Sequence, residues 1–181
     1  MQKTYYKHKD YVSLVSQIGR KIATSNWRPD YIVGITRGGL YPALLLSHYL
    51  NAPMQTLSVQ LRDSTMGPES NLWMAEDAFG YHRVDDMVGH SNPALRKNIL
   101  LVDDINDSGE TFNWIMKDWQ DSCRPNDPAW SDVWNNNVKF AVTIDNLASK
   151  CSVKMDFAGK EINKQETPEW IVFPWEEWWA V

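Results

Sequence analysis

The residues best suited to chemistry stand together between Asn98 and Thr111, in the run Asn-Ile-Leu-Leu-Val-Asp-Asp-Ile-Asn-Asp-Ser-Gly-Glu-Thr. Asp103 and Asp104 are adjacent carboxylates. Such a pair accepts hydrogen bonds from vicinal sugar hydroxyls, directly or through a bound magnesium ion. Just beyond, Asp107-Ser108-Gly109-Glu110-Thr111 supplies two hydroxyls and a glycine whose backbone can approach a ligand closely. The helix that follows turns its unpaired N–H groups toward the same point, which makes the loop a phosphate cradle. In that geometry the Glu110 carboxylate must face away from the phosphate. Acids and cradle together suit one ligand that carries both a diol and a phosphate. An acidic turn capping a helix is the plainer reading. It accounts for two acids after a strand but not for the full run.

These groups need elements to hold them. Ile99 to Val102 is wholly apolar and rich in branched residues, as expected of a strand buried on both faces of a parallel sheet. The acids then lie at its carboxyl end, where open α/β sheets bind ligands, and strand alternation predicts that the two carboxylates diverge. Phe112 to Trp119 is the amphipathic helix behind the cradle. A second strand, Tyr31 to Ile35, leads into Thr36-Arg37-Gly38-Gly39 and a helix over Leu40 to Leu50, with Pro42 early enough to be tolerated. Alone, Arg37-Gly38-Gly39 reads as a strand-to-helix turn. On the same sheet edge as Asp103, its glycines admit an anion and Arg37 supplies charge.

Elsewhere, Tyr11, Leu14, Val15, Ile18 and Ile22 mark a packing helix over Lys9 to Ser25, with Asp10 as its cap. Met54 to Leu61 alternates as a third strand, and Val138 to Ile144 forms another, with Asp145 to Lys150 at its far end. Lys154 to Phe157 adds a short strand, Gly159 a turn, and Pro174-Trp175-Glu176 ends an apolar run over Trp170 to Phe173. Ser122 to Asn137 reads as a polar surface connection. The interval 62–97 shows no firm periodicity. Structureless loops beyond roughly 15 residues are rare unless they act as lids, so it is expected to be a hood, with His82 and Arg83 as candidate residues and part of it able to form a hairpin. The expectation is an α/β fold, a single domain over 1–181 with a central, mainly parallel sheet flanked by helices, plus a flexible hood.

At 181 residues the chain suits one domain with a real core. Its net charge of −5 argues against a nucleic-acid partner, and anionic substrates then need a metal or an arginine nearby. Ten tryptophans are a heavy load, and some are expected to pack subunits or ligands. Cys123 and Cys151 form neither a CxxC motif nor a disulfide framework. With no secretory signal and no apolar run of membrane-spanning length, no membrane partner is expected and the cytoplasm is the default location.

The acids, the Ser-Gly-Glu-Thr loop and the Arg-Gly-Gly turn together resemble the type I phosphoribosyltransferase family. The likeness runs from Arg37 to Glu176 and is closest to the 6-oxopurine (xanthine-guanine/hypoxanthine) branch. That branch is marked by Asp107 before the phosphate loop and by Trp170-Ile171 with Phe173-Pro174-Trp175-Glu176. The resemblance implies transfer of a 5-phosphoribosyl group from phosphoribosyl pyrophosphate to a purine base. It implies Arg37, Gly38 and Gly39 as a pyrophosphate loop, with an unusual cis peptide looked for between Arg37 and Gly38. Asp103 and Asp104 would hold Mg2+ and the ribose hydroxyls. Asp107, Ser108, Gly109, Glu110 and Thr111 would complete the phosphoribosyl pyrophosphate site, with Asp107 and Arg37 as catalytic residues. The hood would close over the reactive sugar, and 145–181 would be the base-binding segment, with Trp170 stacking on the base and Ile171 lending backbone groups. A homodimer or homotetramer is also implied.

Two places depart from the family. Its base-contacting lysine falls here near Leu147, leaving Lys150 or Asn146 as substitutes, and Leu61-Arg62-Asp63 replaces a more usual Ser-Tyr pair. The alternatives are a transferase for another base or a non-catalytic regulator of the same fold. A receiver-like signalling domain with Asp145 as phosphoacceptor would have to begin near Asn98, which leaves too little chain. A nucleotide hydrolase lacks a G-x-x-x-x-G-K-[ST] loop.

Overall fold

The apolar runs do become the middle of a sheet in the computed structural model, which describes residues 2–59, 71–81 and 91–180. Strand β1 spans Gln2–Tyr5, helix α1 His8–Thr24, β2 Tyr31–Thr36, α2 Leu40–Leu50, β3 Met54–Ser58 and α3 Leu72–Phe79. Then come β4 over Ile99–Asn106, α4 over Glu110–Ser122, β5 over Val138–Asn146, β6 over Phe157–Ile162 and β7 over Glu169–Val172. Five strands pair in the order β3-β2-β4-β5-β6, all parallel, and β1 pairs in parallel with β7 in a separate two-stranded ribbon. Parallel neighbours put every carboxyl end on one edge, and the site lies there.

Alternation along the strands divides the core between the two faces. Ile32, Leu100, Val102, Ala141 and Ile144 pack with Tyr11, Ile18, Ile22 and Leu46 of α1 and α2. Val33, Ile35, Leu101, Phe140 and Val142 pack with Phe79, Phe112, Ile115 and Trp119 of α3 and α4. Each such aliphatic or Phe side chain, fully buried, contributes about 1.5–3 kcal/mol relative to exposure.

Several expectations are corrected. Helix α1 begins after Lys7, so Asp10 lies in its first turn rather than at the cap. The interval expected to be a hood contains α3, whose Met74, Ala75, Ala78 and Phe79 are buried in the core. Its one apolar face is only two turns long, too short to announce a helix by period. Ser122 to Asn137 is more than a surface connection, since Trp130 and Val133 are buried and Asn137 Nδ2 donates to Ala78 O and Lys97 O, both at 2.9 Å. Gly159 lies within β6, where a side chain would press on Thr143 O and Leu14, so it serves close packing rather than a turn. The tryptophans divide: Trp119 and Trp130 are core, whereas Trp170, Trp178 and Trp179 are exposed. Both cysteines are free.

Candidate active site

Strand β4 continues past its apolar stretch to Asn106, so Asp103 and Asp104 belong to the strand itself and sit at the sheet edge. They do not diverge. Asp103 Oδ1 turns back to accept the Asp104 N–H at 2.9 Å, and both residues border one cavity of about 320 Å³. Its wall also includes Arg37, Ser108, Lys164 and Trp170. Burial and the Asp104 charge push the Asp103 carboxyl well above the ordinary range. Burial, then the charge of Glu176, push Asp104 up to about 7. From behind, the Thr143 hydroxyl donates to Asp104 O, and Tyr11 OH lies 3.3 Å from Thr143 Oγ1.

The turn after β2 rests on these acids. A side chain at Gly38 would run into the Asp104 carboxylate, and one at Gly39 into Val102 O and the Ile35 backbone. The two glycines are therefore required by the contact between the β2 turn and β4, before any anion is considered. The cis peptide lies between Thr36 and Arg37, one bond earlier than expected.

Gly109 caps α4 with φ 87°, and a Cβ there would strike the Cys151 backbone. The cradle is pinned from the side by the segment after β5: Lys150 N–H donates to Ser108 O at 2.9 Å, and Asn113 Nδ2 donates to Lys150 O at 2.9 Å. The Ser108 hydroxyl oxygen accepts the Glu110 N–H at 3.3 Å. Thr111 and Phe112 begin the helix facing the cavity, and Glu110 is exposed.

A match to the family described as phosphoribosyl transferase domain covers residues 1–180. The chain belongs to that family. Relatives of it include xanthine phosphoribosyltransferase 1 of Saccharomyces cerevisiae, 23% identical over 97% of this chain and 90% of that protein. Hypoxanthine-guanine phosphoribosyltransferase of Schizosaccharomyces pombe is 25% identical over 95% of this chain and 88% of that protein. Among solved structures, a purine phosphoribosyltransferase from Pyrococcus horikoshii superposes with TM-score 0.61 at 23% identity, covering 98% of this chain and 96% of its own. The xanthine-guanine-hypoxanthine phosphoribosyltransferase of Helicobacter pylori gives TM-score 0.63 at 19% identity, covering 99% and 97%. They share the parallel α/β fold.

Within this phosphoribosyltransferase fold, the remaining candidates fall as follows. Asp107 borders the cavity, its Oδ1 2.8 Å from Lys164 Nζ. Trp170, 50% exposed, and Ile171, buried, also line the cavity. Lys150 is not brought into the cavity: it is exposed, and it is its backbone that meets the cradle. Asn146 is buried and spends its side chain on Asp107 O and on the Ala148 and Lys164 N–H groups. Asp145 is taken by Asn106 Nδ2 at 2.8 Å. His82, Arg83 and Leu61-Arg62-Asp63 lie outside the described residues. Sequence reasoning misses Lys164 and Glu176. The first sits in a polar turn with no motif around it. The second is quoted in the base-binding run, yet its nearness to Asp104 depends on how the chain after β7 folds back, with Glu176 Oε2 accepting the Phe173 N–H at 2.9 Å.

The donor set suits magnesium. Asp103 and Asp104 offer hard oxygens, and among the described residues no group of three His, Cys, Asp or Glu forms a full cage. Mg2+ is commonly held by one or two carboxylates while keeping waters and sharing substrate phosphate oxygens. No helix among the described residues is long and apolar enough to cross a membrane.

Proposed function

We propose that the protein transfers the 5-phosphoribosyl group of phosphoribosyl pyrophosphate to a purine base, releasing pyrophosphate and a nucleoside monophosphate. One observation carries the reading: the Asp103–Asp104 pair, the α4 cradle and Arg37 border a single cavity, so a ribose phosphate can be gripped at both ends while its pyrophosphate meets the β2 turn.

The ribose hydroxyls donate to the acid pair, and the 5-phosphate is seated by the N-terminal N–H groups of α4 with the Ser108 and Thr111 hydroxyls. Arg37 and the Gly38–Gly39 turn face the departing pyrophosphate. Mg2+ bound at Asp103 and Asp104 would neutralise negative charge on that leaving group. The sugar carbon gains positive character as the pyrophosphate departs, so positioning and charge neutralisation supply most of the rate. Asp107, beside the cradle, manages the proton of a base ring nitrogen. Trp170 offers its ring face to the base, and Ile171 its backbone. The cytoplasmic location expected from the sequence and the homo-oligomer that the family resemblance implies belong to the same proposal, and sedimentation would read the oligomer.

The direct test supplies phosphoribosyl pyrophosphate, magnesium and a panel of purines and pyrimidines, and follows pyrophosphate release. Turnover with purines is expected. Tight binding of phosphoribosyl pyrophosphate by calorimetry with no turnover on any base would replace the enzyme with a ligand-sensing member of the same fold.

A further inference from the structure

Asp103 and Asp104 border one cavity instead of diverging, and the cause lies in a row of residues that crosses the sheet beside them. Pairing of β4 with β5 runs from Ile99 to Asp103, skips Asp104 and its counterpart Thr143, and resumes where Ile105 meets Ile144. Pairing of β5 with β6 skips the same Thr143, opposite Gly159. Partners keep the same offset on both sides of each gap, so no residue is inserted and a single row turns. Alternation changes phase there. Val102 and Ile105 both pack on the α1–α2 side of the sheet, and so do Ala141 and Ile144. Strict alternation would put the members of each pair on opposite faces.

A row outside the ladder leaves backbone groups in need of other partners. The Thr143 hydroxyl meets one of them: it donates to Asp104 O, and the Tyr11 hydroxyl lies 3.3 Å behind it. A carbonyl can only accept, so the single Thr143 proton goes to Asp104 O and the Thr143 lone pairs are left for the Tyr11 O–H. Thr143 is the one polar residue among the wholly buried positions of β5. Gly159 gives it room, since a Cβ there would come within 2.8 Å of Thr143 O. A residue kept at this position only for packing would need no hydroxyl aimed at the neighbouring strand, because valine has the same shape without one. From this geometry we infer that Thr143 is a positioning residue of the transferase. Its hydroxyl holds the turned row that aims the Asp103 and Asp104 carboxylates into one cavity, and Tyr11 fixes that hydroxyl from behind. The inference rests on the transferase reading above and adds to it a residue that does not line the cavity.

The test compares wild type with Thr143→Val, Thr143→Ser and Tyr11→Phe. Calorimetry reads phosphoribosyl pyrophosphate binding with and without magnesium, and steady-state assays read the KM of phosphoribosyl pyrophosphate and of a purine base. In Thr143→Val the Kd and KM for phosphoribosyl pyrophosphate should rise roughly 10- to 100-fold, the scale on which a displacement near 1 Å acts. The KM for the base should hold, because Trp170 and Ile171 stand on β7, outside the main sheet. Thr143→Ser, which keeps the hydroxyl, should recover most of the loss, and Tyr11→Phe should show a smaller rise in the same direction. Equal phosphoribosyl pyrophosphate affinity in wild type and Thr143→Val would overturn the inference while leaving the transferase reading intact. Equal impairment of the valine and serine variants, with the KM of both substrates raised together, would also overturn it, because Thr143 would then only fill the core. Should Thr143→Val fail to fold, Tyr11→Phe decides, and an unchanged Kd for phosphoribosyl pyrophosphate there overturns the inference. A wild-type protein that does not bind phosphoribosyl pyrophosphate at all would instead overturn the transferase reading and this inference with it.

Discussion

Replacing Asp104 with Asn should make the protein more stable at neutral pH and above while disabling it. In the folded chain burial and the Glu176 charge push the Asp104 carboxyl from 3.8 up to about 7. A raised acid favours folding while it is protonated. Its stabilising contribution is complete below the unfolded value near 4, declines as pH rises through the window, and is gone above about 7. At about 1.4 kcal/mol per tenfold change in proton affinity, this window corresponds to roughly 4 kcal/mol. Asp103, pushed the same way and in contact with it, shares the proton, so the two titrate as a pair. Asn keeps the shape and one acceptor oxygen without the charge. Urea unfolding at pH 5 and pH 8 in metal-free buffer, on wild type and Asp104→Asn, reads the effect. The variant should gain several kcal/mol over wild type at pH 8 and only about a third as much at pH 5, which lies about a third of the way into the window. Added magnesium should stabilise wild type more than the variant, because a ligand that binds only the folded state raises stability by mass action. A variant no more stable than wild type at pH 8 would refute the claim that this carboxylate is held charged against its surroundings.

Asp107→Asn should lower kcat about 10²- to 10⁴-fold, the usual worth of general acid–base help, while calorimetry finds phosphoribosyl pyrophosphate binding largely retained. Full activity with purines would remove Asp107 from the chemistry. Gly38→Ala forces a Cβ into the Asp104 carboxylate, so the acid or the turn must move. A displacement near 1 Å can cost about 100-fold, and the KM for phosphoribosyl pyrophosphate should show it.

What is legible in the sequence follows how local each feature is. The acids, the cradle and its helix arise within one continuous stretch from Asn98 to Ser122, where a buried apolar strand, two carboxylates and a glycine at φ 87° are all visible as residue types. The Arg37 turn is legible for the same reason, although the need for its glycines comes from Asp104 and Val102, which no local pattern reveals. Helix α3 is hidden by its shortness, and β1, mostly exposed and polar, has no apolar alternation to betray it. Lys164 is illegible because only the β6–β7 turn and Asn146 bring it to Asp107.

In the proposed reaction the two substrates would be held by structures of different kinds. The phosphoribosyl half is built on the central strands β2 and β4, which are paired to each other and buried on both faces, so its geometry is as firm as the core. The base half hangs on β7, which pairs with β1 outside the main sheet, and the Tyr6 N–H extends that pairing to Val172 O at 3.0 Å. Lys3 ties the far side to Glu177 at 3.2 Å, and Phe173 and Trp175 close on Tyr11, which stands behind Asp104 through Thr143. An aromatic cluster thus couples the base wall to the acid pair without a shared strand. Damage to β1 should then show first as weaker base binding, with phosphoribosyl pyrophosphate binding affected only when the loss reaches Tyr11.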